Sequence, residues 1–198
     1  MAALQPSTGL EVPAGLSACH ALLSYEGEGR RLVTALKYRN ARAVVGWLAE
    51  GMALLVAEAQ VGSVTWAPTS RHRRAERGFD QAELLARAVA AQLGCPARRL
   101  LRRRAGPPQT GLSRAERLVG PAFVAPRAAG RVPDGCTVVV DDVITSGTTL
   151  SRAAQALLVS GVQGVVGLAA AHTPSSAGFQ VPADLPVYDP HTSPQAGG

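Results

Sequence analysis

The chain has 198 residues, 46% hydrophobic and 17% charged, with a formal net charge of +6. This is enough apolar material for one core and too little charge for a disordered chain. The longest apolar runs, such as 159–171, are broken by Gly and Gln and are too short to span a bilayer. The first fifteen residues lack the basic-then-apolar order of a secretory signal, so a cytoplasmic protein is expected.

Cys19, Cys95 and Cys136 are isolated, which excludes a disulfide framework and a cysteine zinc site and leaves reduced, buried thiols as the expectation. His20, His72, His172 and His191 have no metal-ligand spacing. Charge is unevenly spread. Residues 66–117 hold twelve arginines against four acidic residues, a net of +8, so the rest of the chain carries −2 of the total of +6. A polyanionic ligand, either phosphates or nucleic acid, suits that asymmetry.

In chain order, residues 1–18 read as a loose leader. A helix is expected over Glu28–Tyr38 with Leu32, Ala35 and Leu36 inward, and a second over Ala43–Gln60 with Val44, Trp47, Leu48, Met52, Leu55 and Val56 inward. Ser63–Ala67 reads as a strand stopped by Pro68. Asp80–Leu93 is a strong helix ended by Gly94 and Pro96. A strand is expected over Arg98–Arg103, leading into a Gly-Pro loop, then a short helix over Ser113–Leu118 with a Ser113/Glu116 capping pattern. Thr137–Asp141 is a continuous β-branched run of the kind buried on both faces. A short polar turn follows, then a helix over Thr149–Val159 and a buried strand over Gly164–Ala170. The Pro/Ser/Gly-rich tail from residue 173 is expected to be partly disordered. Strands alternating with helices predict an α/β fold with an open, mainly parallel sheet flanked by helices.

The chemistry concentrates in Val138–Leu150, VVVDDVITSGTTL. A buried strand leads to an acidic pair and then to a small polar loop that opens a helix. Ligands of parallel sheets sit at the carboxyl ends of strands, where this loop must lie. Gly147 admits close backbone approach, and the loop amides with the helix N-terminus form an anion site to which Thr145, Ser146, Thr148 and Thr149 add hydroxyls. Asp141 and Asp142 offer only acceptors, which suit a diol. A phosphorylated sugar accounts for both halves. There is no Walker A loop, and Gly161, Gly164 and Gly167 do not fit GxGxxG.

This string resembles the signature of the type I phosphoribosyltransferases. The resemblance implies the fold of that family, with Asp141 and Asp142 on the ribose hydroxyls and Thr145–Thr149 on the 5-phosphate of phosphoribosyl pyrophosphate. Three further stretches resemble the ComF family, competence-associated proteins carrying such a domain. They are Tyr25-Glu26-Gly27 with Leu36-Lys37-Tyr38-Arg39; Ala67-Pro68 through Arg77-Gly78-Phe79-Asp80-Gln81-Ala82; and Gln109-Thr110-Gly111-Leu112 with Arg114, Arg117 and Ala122-Phe123. A phosphoribosyltransferase-like domain over 19–172 is therefore expected.

By the same resemblance Pro68, Thr69 and Ser70 form the pyrophosphate loop, with Arg71, Arg73, Arg74 and Arg77 behind it as forked donors. Residues 102–117 correspond to a mobile loop over the substrate, and Lys37, Gln109 and Arg117 are further ligand candidates. Mg2+ would be held mainly through the ligand, and Asp142 is the one candidate general acid or base. The chain departs from the family in two ways. It lacks the four-cysteine zinc module with which many members begin, and it has Asp80 where Asn is usual, adding a negative charge beside the proposed pyrophosphate site.

Three uses follow for such a site. The protein transfers a phosphoribosyl group, or senses the ligand without turnover, or serves DNA uptake with Arg98–Arg104 tracking single-stranded DNA. The eight aromatic residues supply little base stacking for the last of these.

Overall fold

The computed structural model describes residues 7, 10–36, 42–104, 122–126 and 134–174. Four strands, β1 (Ala18–Ser24), β2 (Val61–Trp66), β5 (Cys136–Ile144) and β6 (Val165–His172), form one sheet in the order β1-β6-β5-β2. Every pairing in it is parallel. A separate antiparallel pair joins β3 (Arg102–Arg103) to β4 (Phe123–Val124). The helices are α1 (Gly27–Ala35), α2 (Arg42–Leu54), α3 (Arg71–Arg77), α4 (Gln81–Gln92) and α5 (Thr148–Val159). This is the open α/β sheet flanked by helices that the alternation of elements predicts.

Period-2 alternation divides the core between the two faces of the sheet. Val138 and Val140 of β5 join Val64, Trp66 and Leu168 beneath Leu48 and Met52 of α2 and Leu85 and Val89 of α4. Val139 faces the other way, with Leu150, Ala153 and Leu157 of α5 and Val165 and Ala169 of β6. Each large aliphatic side chain fully buried in this way contributes roughly 1.5–3 kcal/mol.

The structure departs from the sequence expectations at several elements. Residues 10–17 are docked rather than loose. Leu10 and Leu16 pack against the α5 side of the sheet, and the Ser17 amide and hydroxyl both donate to the Val165 carbonyl, at 2.9 and 3.0 Å. β1 was not foreseen, because ACHALLS has no β-branched residue to mark a strand. α1 buries Gly29 and Val33; of the three residues expected inward, Leu36 just past its end is buried, Leu32 packs half-buried against the core, and Ala35 is half-buried. A Cβ on Gly29 would lie 2.2 Å from the Ser24 carbonyl oxygen, so glycine lets the helix ride against the end of β1.

α2 stops at Leu54, and the Val56 and Ala59 amides close turns on Ala53 and Val56. The exposed residues 57–60 have no apolar surface to bury and no reason to stay helical. The strand expected over Arg98–Arg103 contracts to two residues. α3 is an addition, since RHRRAER carries no apolar stripe to signal it. The helix expected over 113–118, most of the 102–117 loop and the tail beyond residue 174 lie outside the described residues. Among the described residues no helix is long and apolar enough to cross a membrane.

Candidate functional site

The site is built where β5 outruns β2. Trp66 stands opposite Val140, and the Ala67 amide donates to the Val140 carbonyl at 3.0 Å. Pro68 then follows, has no amide hydrogen to give to a ladder, and turns the chain away. β5 continues to Ile144, still paired with β6 through His172. Asp141 therefore lies in the strand, as expected from the sequence, and the strand runs on through Asp142 to Ile144, so the whole acidic pair sits in its overhanging end. One side of that overhang faces β6. The other carries no β2 partner among the described residues, which leaves a crevice at the carboxyl end of the sheet.

Asp141 and Asp142 are both partly buried there. The Asp142 amide donates to Asp141 Oδ1 at 2.9 Å, and the Val143 amide donates to Asp142 Oδ1 at 2.9 Å. One oxygen of each carboxylate thus accepts from a neighbouring backbone amide, which fixes the rotamers, and the two carboxyl groups also meet each other side chain to side chain. Burial, reinforced by the adjacent Asp142 charge and by Asp80, holds the Asp141 carboxyl well above the ordinary carboxylate range. A diol donating to this pair would relieve part of that penalty.

The polar turn that follows runs into the N-terminus of α5. Gly147 is its N-cap in the left-handed region, at φ 69°, and Ser151 begins the helical ladder by donating to the Gly147 carbonyl at 2.9 Å. Glycine adopts that conformation without penalty. A Cβ there would also lie 2.5 Å from Pro13 Cγ, so the docked N-terminal segment presses on the turn. Thr145 and Ser146 are exposed, Thr148 and Thr149 partly buried, and the Ser146 and Thr148 hydroxyls are 2.9 Å apart. No side chain caps the helix. Free first-turn amides, the positive end of the helix dipole and adjacent hydroxyls make this a receptor for an anion such as a phosphate.

The loop after β2 leaves the same end of the sheet as this turn. Pro68 is buried, and Thr69 and Ser70 are partly so. The Thr69 amide donates to Asp80 Oδ2 at 2.9 Å, and Ser70 accepts from the Arg74 amide at 2.9 Å, opening α3. Asp80, only 3% exposed, also accepts from the Glu83 amide at 3.4 Å as the N-cap of α4. Burial raises the Asp80 carboxyl above its ordinary range, and the two donated amides partly offset this.

Arg71, Arg74 and Arg77 lie along α3, the helix that follows the 68–70 loop. Arg74 leans on Glu83, 3.6 Å away, in an exposed pair worth little in stability. The side chains of Arg71 and Arg77 lie outside the described residues, as do Lys37, Gln109 and Arg117 entirely. The structure thus brings together Asp141, Asp142, the 145–149 turn and the 68–70 loop. Sequence reasoning missed Pro13 and, though it placed Asp80 beside the site, missed what that carboxylate holds. Pro13 gives no signal at all, whereas the Asp80/Glu83 spacing is a capping pattern that marks the cap but not its tie to Thr69.

Among the described residues no three His, Cys, Asp or Glu side chains converge to cage a metal ion. Asp141 and Asp142 are oxygen donors of the kind that a hard divalent cation takes, and they would be the residues to hold one.

The family model described as the phosphoribosyl transferase domain matches residues 80–184, more than half of the chain, and so takes in the acidic pair and the turn into α5. No curated protein matches the sequence. A solved structure titled "Structure of the allosteric regulatory enzyme of purine biosynthesis" is similar over 69% of this chain, at 22% identity and a TM-score of 0.44. The matched region spans 30% of the length of that structure.

Proposed function

The chain belongs to the phosphoribosyl transferase domain family, and from that premise we propose that it binds 5-phosphoribosyl-1-pyrophosphate where β5 overhangs β2. One observation carries the reading: the Ala67–Val140 bond sets the acidic pair with its anion-receiving turn beside the loop after β2. The turn 145–149 takes the 5-phosphate through amides and hydroxyls. The carboxyl oxygens of Asp141 and Asp142 accept from the ribose hydroxyls. Thr69 and Ser70, with Arg71, Arg74 and Arg77, face the pyrophosphate. Lys37, Gln109 and Arg117 remain candidates for further contacts. Mg2+ would enter on the pyrophosphate oxygens and offset the charge of the leaving group.

The reaction this arrangement suits is pentosyl transfer. A nucleophilic nitrogen bonds to the anomeric carbon as the bond from that carbon to the pyrophosphate oxygen breaks, and the electron pair leaves with pyrophosphate. Catalysis rests on positioning and leaving-group stabilisation. Asp142 is the group available to take the proton lost by the nitrogen. Pyrophosphate release, followed with Mg2+ and a panel of nucleobases and amines, tests this. Release dependent on one acceptor establishes transfer and names it. Tight binding with no release under any acceptor leaves a ligand sensor.

A second use is favoured by one feature. Arg99, Arg102, Arg103 and Arg104 are exposed along β3 and its approach, and the ComF-like stretches fit a cytoplasmic competence protein working on incoming DNA. Such a role predicts single-stranded DNA binding with a steep salt dependence. It would be lost on neutralising Arg102–Arg104 and kept when Asp141 and Asp142 become Asn.

A further inference from the structure

We propose that Asp80 is a positioning residue for the pyrophosphate end of the site, holding the loop after β2 in its binding conformation through the Thr69 amide. This rests on the phosphoribosyl pyrophosphate reading of the crevice. Asp80 is 3% exposed, and both of its carboxylate oxygens are spent on backbone amides. Oδ2 takes the Thr69 amide at 2.9 Å and Oδ1 the Glu83 amide at 3.4 Å. One side chain thus closes a loop that contains all of α3 and its arginines, tying its start to the head of α4. Gly78, at φ 79°, makes the return turn that lets the chain come back to Asp80.

The choice of a carboxylate is informative. A serine or asparagine would cap α4 without placing a charge in the interior. A carboxylate here is costly, both from burial and because it adds to the field that disfavours ionised Asp141. What the carboxylate alone provides is two acceptors. Asparagine has one acceptor oxygen and would turn its NH2 group toward either the Thr69 or the Glu83 amide, donor against donor. The extra negative charge that the sequence placed beside the pyrophosphate site is therefore directed at protein amides. Its effect is to set the loop, not to repel the ligand.

The test compares the full-length wild type with Asp80→Ala and Asp80→Asn by titration with two probes, inorganic pyrophosphate with Mg2+ and ribose 5-phosphate. Ribose 5-phosphate needs only the β5 turn and the acidic pair, so a residue that merely supports the fold would affect both probes alike. The expected result is pyrophosphate binding weakened by about tenfold or more in Asp80→Ala, as a loop no longer held by its tie must be ordered on binding. Asp80→Asn should fall between, and ribose 5-phosphate affinity should stay at the wild-type value in both. Faster hydrogen exchange at the Thr69 amide in both variants should accompany the loss. Unchanged pyrophosphate affinity in folded Asp80→Ala overturns the role, as does a parallel loss of both ligands. Wild-type protein that binds neither probe overturns the crevice reading itself, and the role of Asp80 with it.

Discussion

The Ala67 amide and the Val140 carbonyl, 3.0 Å apart, form the rung at which β2 leaves β5. One residue beyond it on β5 the acidic pair begins, and on the other chain Pro68 opens the loop that Asp80 ties down. The acidic pair and the 68–70 loop thus hang from one point of the sheet. A displacement there would move both, which makes the site a property of strand register and not of loop sequence alone.

Replacing Gly147 should damage fold and site together. Ala at φ 69° is strained, and its Cβ would meet the Pro13 ring at 2.5 Å. We expect Gly147→Ala to cost roughly 2 kcal/mol, several degrees in Tm, together with weaker ribose 5-phosphate binding. Thermal melts and titration calorimetry read the two effects. A variant indistinguishable from wild type in both would mean that the turn does not hold this conformation.

Asp141 should be a residue kept at the expense of stability. Its folded pKa lies above the ordinary carboxylate value, mainly from burial and then from Asp142. Between those two values the folded chain holds a proton that the unfolded chain has released, so stability falls as pH rises from about 4 through the raised pKa. Asp80, shifted the same way, adds to the trend. Asp141→Asn keeps an acceptor for the Asp142 amide and removes the charge. The variant should melt higher than wild type at pH 7, match it near pH 3, and lose ribose binding. Equal or lower Tm at pH 7 would contradict this.

Ser63 and Thr137 pair their hydroxyls at 3.2 Å across β2 and β5, both fully buried. Thr137→Val alone strands a buried hydroxyl and should cost about 1–3 kcal/mol, whereas Ser63→Ala with Thr137→Val should cost less than the sum of the single changes. Denaturant unfolding of the cycle measures the coupling. Strict additivity would show that the pair does not interact.

Much of this was legible before any coordinates. The β-branched run of β5 and the apolar periodicity of α2 and α4 set the sheet and its helices, because those segments bury surface that their own pattern announces. The Val138–Leu150 string marked the end of β5 and the turn into α5 through its order of apolar, acidic and small polar residues. What escaped depends on contacts between distant segments. β1 is a strand because β6 pairs with it, not because ACHALLS favours one. α3 forms from a charged run closed by the Asp80–Thr69 tie, and Pro13 reaches Gly147 across more than a hundred residues of sequence. The extension of β5 past Asp141 to Ile144 goes with its pairing to β6, which no local pattern encodes.

The most direct test is titration of the folded wild-type protein with 5-phosphoribosyl-1-pyrophosphate in Mg2+, beside the Asp141→Asn/Asp142→Asn double variant. The site described here predicts saturable, Mg2+-dependent binding of one ligand per chain, abolished in a double variant that still melts cooperatively. Absence of binding by wild type, or undiminished binding by the folded double variant, would contradict it.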